Sequence, residues 1–186
     1  MDKKEIKLLL LVVLYNRSLQ TSETLTSLLR LQDQLQGSKL LIWDNSPKPH
    51  ITEAELQEIE QCMHKAEFVT TPENLALSNI YNRIIDRDEL SEYDALVLLD
   101  HDSVLADNFF TEAKAAMAQH LGINLFLPIV ESNNEIVSPA NLYYFKGVRW
   151  KQKHKGILDT KWRAAINSGM VIRTSYLKGP FKGYDE

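Results

Sequence analysis

A single α/β domain, with a mostly parallel, Rossmann-like central sheet and helices on both faces, is the fold this sequence predicts. Three observations carry the prediction. Strand-length apolar runs alternate with helix-length segments from residue 6 to about residue 120, the order that builds a parallel sheet through right-handed crossovers. The runs Leu8–Leu14, Leu40–Trp43 and Ala95–Leu99 are unbroken rather than alternating, as expected of strands buried on both faces. Each run stops on a short polar cluster, which gathers those clusters on the rim where parallel strands end.

Taken in order, Ile6–Leu14 reads as the first strand and Tyr15-Asn16-Arg17-Ser18 as a polar loop at its carboxyl end. Lys3 and Lys4 give this run the look of a secretion signal, but Tyr15-Asn16-Arg17 stands where small cleavage-site residues would be. The run is also too short to cross a bilayer. A helix over roughly 21–35 carries Leu25, Leu28, Leu29 and Leu35 near one face, with Gly37 as its stop. The second strand, Lys39–Trp43, ends on Asp44-Asn45-Ser46-Pro47, and Thr52 to Glu55 has the spacing of a capping box opening a helix to about His64. A short third strand, Glu67–Thr71, leads through Pro72-Glu73-Asn74 into a helix over about 78–87. The fourth strand ends at Asp100, and Asp107 is placed to cap a helix running through His120.

Beyond Leu121 the pattern changes to short strands at 123–130, 135–138 and 142–145. The segment 146–161 is rich in lysine, with Arg149, Trp150 and His154 interspersed. It is either a solvated loop or a flap bringing cations to a diphosphate or an anionic acceptor. A last strand, Ala164–Ile172, is interrupted by Asn167-Ser168-Gly169, where glycine lets the backbone approach a neighbour closely.

Composition bounds the function. At 186 residues, 44% hydrophobic and 25% charged, the chain fits one soluble domain with a sizeable core. A net charge of -4 and a pI near 5.8 argue against nucleic acid as a partner. One cysteine, Cys62, excludes an internal disulfide framework and a multi-thiolate metal site. The lack of a cleavable signal points to the cytoplasm or the inner face of its membrane, with peripheral attachment left open.

The chemistry centres on Asp100-His101-Asp102 at the end of the fourth strand. Bare carboxylates are costly to bury, so both acids belong in a crevice at the strand's end. Residues two apart in extended backbone point the same way, so both can face one ligand. Hard oxygen ligands suit Mg²⁺ or Mn²⁺, above all when phosphates share the metal. The plain alternative is a solvated turn. Convergence of Tyr15-Asn16-Arg17, Asp44-Asn45, Asn74 and Asp100–Asp102 on one rim favours a nucleotide site. Taken singly, Asp44–Pro47 also reads as turn chemistry, Asn74 as a loop-bonding side chain and His101 as an outward-facing structural residue. Trp150 and Trp162 read as packing residues before they read as sugar platforms.

In chain order, Val12-Val-Leu-Tyr-Asn16, Ile42-Trp-Asp-Asn-Ser46, Asn74-Leu-Ala-Leu-Ser78 with Asn82, Leu98-Leu-Asp-His-Asp-Ser103, Asn167-Ser-Gly169 and Gly179–Glu186 make a recognisable series. With them the chain resembles the family 2 inverting glycosyltransferases of GT-A fold, particularly their rhamnosyltransferase-like branch, over essentially its whole length. The resemblance implies a nucleotide-diphosphate sugar donor, dTDP- or UDP-linked, a saccharide or lipid-linked acceptor, and a Mn²⁺ or Mg²⁺ ion. It implies nucleotide-sugar contacts from Tyr15, Asn16, Arg17, Asp44, Asn74 and Asp100, metal ligation by Asp100 and Asp102, and an acceptor region at Asn167, Ser168 and Gly169. It divides the single domain 1–186 into a nucleotide-sugar half, 1–105, and an acceptor half, 106–186.

The chain departs from the family at Ala76, where glycine is common, and at His101, where glutamine is frequent between the acids. The family's general base lies beyond its Phe-Asp-Glu-like segment, whereas Asp185 and Glu186 are the last residues here. They are therefore the candidate bases, and a chain cut short before the base is expected. Transfer reactions at bacterial polysaccharide or cell-surface glycan are the expected activity; a nucleotide-sugar-binding protein without turnover is the alternative. A nucleotidyltransferase would need a glycine-rich loop after the first strand, which Leu14–Ser18 lacks. A phosphatase of the haloacid dehalogenase type would carry its paired acids on the first strand instead of the fourth.

Overall fold

The computed structural model describes residues 5–144 and 146–185. Its centre is β1 (Leu8–Leu14), seven residues that are all buried. A strand can be apolar at every position only when both faces are covered, and each fully buried leucine or valine contributes about 1.5–3 kcal/mol relative to exposure. β1 pairs in parallel with β2 (Lys39–Asp44) on one side and β4 (Ala95–Asp100) on the other, and β2 pairs in parallel with β3 (Ala66–Thr70).

The two faces are filled by different helices. Leu8, Leu10, Val12 and Leu14 share a core with Leu25 and Leu28 of α1 (Glu23–Arg30), Ile59 of α2 (Glu53–Cys62) and Phe110 and Met117 of α4 (Phe109–Gln119). Leu9, Leu11 and Val13 share the opposite core with Ile80, Tyr81, Ile84 and Ile85 of α3 (Leu77–Asp86) and Leu177 of α5 (Thr174–Leu177). The alternation along β1 therefore separates two apolar layers, not an inside from an outside.

Local chemistry sets the helix ends. Thr52 forms the expected capping box: its hydroxyl accepts the Glu55 N–H, and the Glu55 carboxylate accepts the Thr52 N–H at 2.8 Å. α1 is shorter than its periodicity predicts, because Leu31 leaves the α region (φ -100°, ψ 11°) and only a 3₁₀ turn, Gln32–Gln34, follows. That tightening keeps Leu31 and Leu35 in the core, and Gly37, at φ +68°, turns the chain toward β2. Asp107 does not cap α4. Its carboxylate pairs instead with Arg30 of α1, and Asn108 takes the cap position without a side-chain bond.

Past β4 the sheet continues with β11 (Met170–Arg173), which is antiparallel to β4, and β5 (Leu125–Phe126), antiparallel to β11. The order is β3-β2-β1-β4-β11-β5, a largely parallel sheet with one reversed strand. Two small sheets stand beside it, β6 (Val130–Ser132) with β7 (Glu135–Ser138), and β8 (Ala140–Tyr143) flanked by β9 (Lys146–Arg149) and β10 (Arg163–Ala164). The start of the lysine-rich segment is thus paired strand, because Lys146–Arg149 completes a ladder with β8. Of its remainder, Trp150 is buried and 151–161 is exposed throughout. The expected break near 167–169 is wider and spans 165–169, between β10 and β11. Among the described residues, no helix is long and apolar enough to cross a membrane.

Candidate functional site

The strand order reverses at β1, with β2 and β3 to one side and β4 to the other, and open α/β sheets bind ligands beside the carboxyl ends at such a point. Tyr15, Asn16 and Arg17 leave β1 there and are exposed. Asp100 is in register with Val13, and Asp44 with Leu14. The loops after four adjacent parallel strands therefore meet on one rim.

Two of those loops are held by buried side chains. Asp44 has no exposed surface. Its Oδ1 accepts the Ser46 N–H at 3.0 Å and the Ser46 hydroxyl, and its Oδ2 accepts the His50 N–H at 3.3 Å. Ser46 Oγ in turn accepts the Asn16 N–H at 2.7 Å. Asp44 thus fixes the loop that carries Tyr15 and Arg17, with Asn16 in the left-handed region at φ +52°, where asparagine is tolerated. Asn45 ties the next pair of loops. Its Nδ2 donates to Asn74 Oδ1 at 3.0 Å and the Leu75 carbonyl at 2.8 Å, and its Oδ1 accepts from Thr71 Oγ1 at 2.8 Å and the Leu75 N–H at 2.9 Å.

The acidic turn is anchored from α1. Thr24 Oγ1 donates to the Asp100 carbonyl at 2.5 Å and accepts the Ser103 N–H at 2.9 Å, while Ser22 Oγ donates to the His101 carbonyl at 2.8 Å. Ser27 Oγ accepts the Leu105 N–H at 3.2 Å. Sequence reasoning missed these three. Their signal is a set of hydroxyls at positions where the buried face of α1 continues, since Ser22, Thr24 and Ser27 are all buried. Polar groups buried at such positions need partners on the neighbouring element. The strand ends at half-buried Asp100, and residues 101–102 form a turn that exposes Asp102. The extended spacing expected to aim both carboxylates the same way therefore does not continue past Asp100.

Reversal of β11 brings a second set of residues to Asp100. Met170 is in register with Leu98, and the Gly169 N–H donates to the Leu98 carbonyl at 2.9 Å. Ser168 then falls level with Asp100 and its hydroxyl donates to Asp100 Oδ2. Gly169 sits at φ +81°, and a Cβ there would meet Pro128 at 2.8 Å and Phe109 at 3.3 Å, so glycine is required on two counts. Asn167 Nδ2 donates to the Tyr81 hydroxyl at 3.2 Å. Burial, and secondarily the Asp100 charge, push the Tyr81 phenol well above its usual range. Tyr81 therefore remains a protonated phenol beside the carboxylate, a neighbour the sequence pattern does not reveal because it occupies an ordinary core position on α3.

The C-terminal segment is docked on the same helix. Asn82 Nδ2 donates to the Tyr184 carbonyl at 2.9 Å, and Asn82 Oδ1 accepts the Tyr184 N–H at 2.8 Å. Rings add to the clamp: Tyr184 lies 5.2 Å from both Tyr81 and Phe181, centroid to centroid. Exposed Asp185 follows directly, so it extends from an anchored segment and not from a frayed end. Glu186, the other candidate base, lies outside the described residues.

Solved structures share this architecture. The crystal structure of S. aureus TarS 1-349 matches at 15% identity and a TM-score of 0.55, over 97% of this chain and 50% of that one. A second crystal structure of S. aureus TarS matches at 15% identity and a TM-score of 0.63, over 97% of this chain and 30% of that one. At such identity the likeness is one of fold, and the chain spans half or less of those proteins. No protein-family model and no curated protein matches the chain.

Among the described residues, no group of three or more His, Cys, Asp or Glu side chains is arranged to hold a metal. Asp100 and Asp102 nevertheless supply the hard oxygens Mg²⁺ and Mn²⁺ prefer, and such ions bind through one or two carboxylates when phosphates and water complete the shell. The donor set fits a metal that arrives with a diphosphate. It does not fit a closed, all-protein site.

Proposed function

We propose that this chain is the GT-A domain of a family 2 inverting glycosyltransferase of the rhamnosyltransferase-like branch. It moves a sugar from a dTDP- or UDP-linked donor to a saccharide or lipid-linked acceptor in bacterial polysaccharide or cell-surface glycan synthesis. The observation that carries this reading is the junction at Asp100, where the reversed β11 sets Ser168 on a carboxylate at the reversal of strand order. The shared fold with TarS, a bacterial glycosyltransferase, supports it.

In this reading Tyr15, Asn16, Arg17 and Asn74 bind the nucleoside and phosphates. Asp44 acts on the nucleoside through the Ser46–Asn16 turn it shapes, since direct contact would require that turn to open. Asp100 and Asp102 would hold Mg²⁺ or Mn²⁺, which would supply positive charge against the departing diphosphate. Ser168 orients Asp100, and Asn167–Gly169 face the acceptor. The acceptor hydroxyl approaches the anomeric carbon opposite the diphosphate, and its proton passes to a carboxylate held within about 2.6–3.2 Å. We assign that base to Asp185, the residue after the Tyr184 that Asn82 anchors.

Screening UDP- and dTDP-sugars with Mn²⁺ for thermal stabilisation, then assaying the stabilising donors for transfer by the full-length gene product, tests the proposal. It predicts metal-dependent stabilisation, with transfer slowed by about 10²–10⁴-fold in Asp185→Asn while donor stabilisation persists. Stabilisation without transfer to any acceptor would instead support a nucleotide-sugar-binding protein without turnover.

A further inference from the structure

Large hydrophobic side chains left in solvent are concentrated between residues 143 and 166. Tyr143, Tyr144, Val148, Ile157 and Trp162 are 71, 78, 48, 70 and 60% exposed. The same stretch reverses the charge of the chain: residues 146–163 hold seven Lys or Arg and one acid, Asp159, in a protein of net charge -4. Only part of that charge is neutralised by the ion pairs Arg149–Glu135 and Lys153–Glu131.

The small sheet puts these two properties on one feature. Tyr143 is in register with Lys146, and Asn141 with Val148, so Tyr143, Lys146 and Val148 share a face. The Leu142 N–H donates to the Trp162 carbonyl at 2.8 Å, which brings Trp162 to the end of the sheet where Tyr143 and Tyr144 lie, their rings 5.9 Å apart. Tyr144 and Trp162 hold left-handed backbone, at φ +53° and +57°, a conformation unfavourable for bulky residues. Neither residue offsets it by packing, since both remain exposed.

Tyrosine and tryptophan beside lysine are the side chains that settle at headgroup depth in a bilayer, where the cations draw in anionic lipid. A soluble polyanion would engage the lysines and leave the aromatic and aliphatic surface in water. We propose that the tip formed by the β8–β9 hairpin and Trp162 docks this chain on an anionic lipid bilayer. The inference does not rest on the proposed sugar transfer.

Intrinsic fluorescence reads the contact directly, because Trp43 and Trp150 are 3 and 7% exposed and Trp162 alone of the three tryptophans is open to solvent. Vesicles of mixed phosphatidylglycerol and phosphatidylcholine should co-sediment the protein and shift its emission to the blue; phosphatidylcholine vesicles should do neither. Trp162→Phe should abolish the shift while keeping co-sedimentation. Tyr144→Ser with Trp162→Ser, and separately Lys146→Glu with Lys161→Glu, should each weaken binding by about tenfold or more, with circular dichroism unchanged. No co-sedimentation with phosphatidylglycerol at low salt would overturn the proposal. So would binding indifferent to the aromatic substitutions, or an equal blue shift from soluble dextran sulfate. Should a double variant not fold, the wild-type and Trp162→Phe spectra still decide.

Discussion

Asn45→Ala probes how the rim is held together. The side chain is 4% exposed and makes four hydrogen bonds, to Asn74, Thr71 and both backbone groups of Leu75. Truncation affects these partners unequally. Asn74 is exposed, so its freed oxygen turns to water at little cost. Leu75 is half-buried, and its N–H and carbonyl lose bonds each worth about 0.5–1.5 kcal/mol net. Thr71 is buried and still accepts from Trp43 Nε1 at 2.8 Å, but its hydroxyl proton is stranded, a penalty of about 1–3 kcal/mol. The sum is a loss of about 2–6 kcal/mol, read from the urea midpoint at constant m-value. Asn45→Asp, isosteric, keeps both acceptor contacts but sets a carboxylate oxygen against Asn74 Oδ1 and the Leu75 carbonyl, so it should be no better tolerated. A loss below about 0.5 kcal/mol in both variants would refute the claim that this amide locks the loops after β2 and β3.

The other expectations follow from the same contacts. Asn82→Ala removes both bonds to Tyr184 and should raise hydrogen exchange at the Tyr184 amide by about ten- to a hundredfold; unchanged protection would mean that the rings alone dock this segment. Asp44→Ala should lower stability and weaken UDP or dTDP binding without metal, through release of Ser46 and Asn16; a folded mutant that binds normally would restrict Asp44 to shaping its turn. At the opposite end of the sheet, burial raises the Glu67 pKa, but hydrogen bonds from Lys39 at 2.6 Å and Arg87 at 2.8 Å outweigh it and hold Glu67 below its ordinary 4.5. A depressed folded pKa gives stability that is present above pH 4.5 and is lost as pH falls through the folded value. Glu67→Gln should therefore flatten the fall of Tm below that pH, and an unaltered acid limb would contradict the assignment.

Much of this fold is legible because its information is local. The unbroken run Leu8–Leu14 announces burial on two faces, and the Thr52–Glu55 capping box is written within four residues. What stays hidden depends on partners far along the chain. Asp107 reads as a helix cap until Arg30, from a different helix, takes its carboxylate. Lys146–Arg149 lacks any apolar period because all four residues are exposed, and only its backbone pairing with β8 makes it a strand. The direction of β11 is equally invisible, since period-two patterning is the same read forwards or backwards. Yet that direction brings Ser168 and Asn167 to Asp100 and Tyr81. Of the site, the strand-end clusters could be read directly, whereas the contacts from Thr24, Tyr81 and Ser168 required the packing of α1, α3 and β11.

Calorimetry of UDP and dTDP with and without Mn²⁺, on the wild-type chain and on Asp102→Ala, tests the central claim most directly. Asp102 is exposed, so its loss should change stability by no more than about 0.5 kcal/mol. The account predicts Mn²⁺-dependent binding of at least one nucleotide to the wild type and none to the mutant. Unchanged, metal-dependent affinity in Asp102→Ala would contradict it.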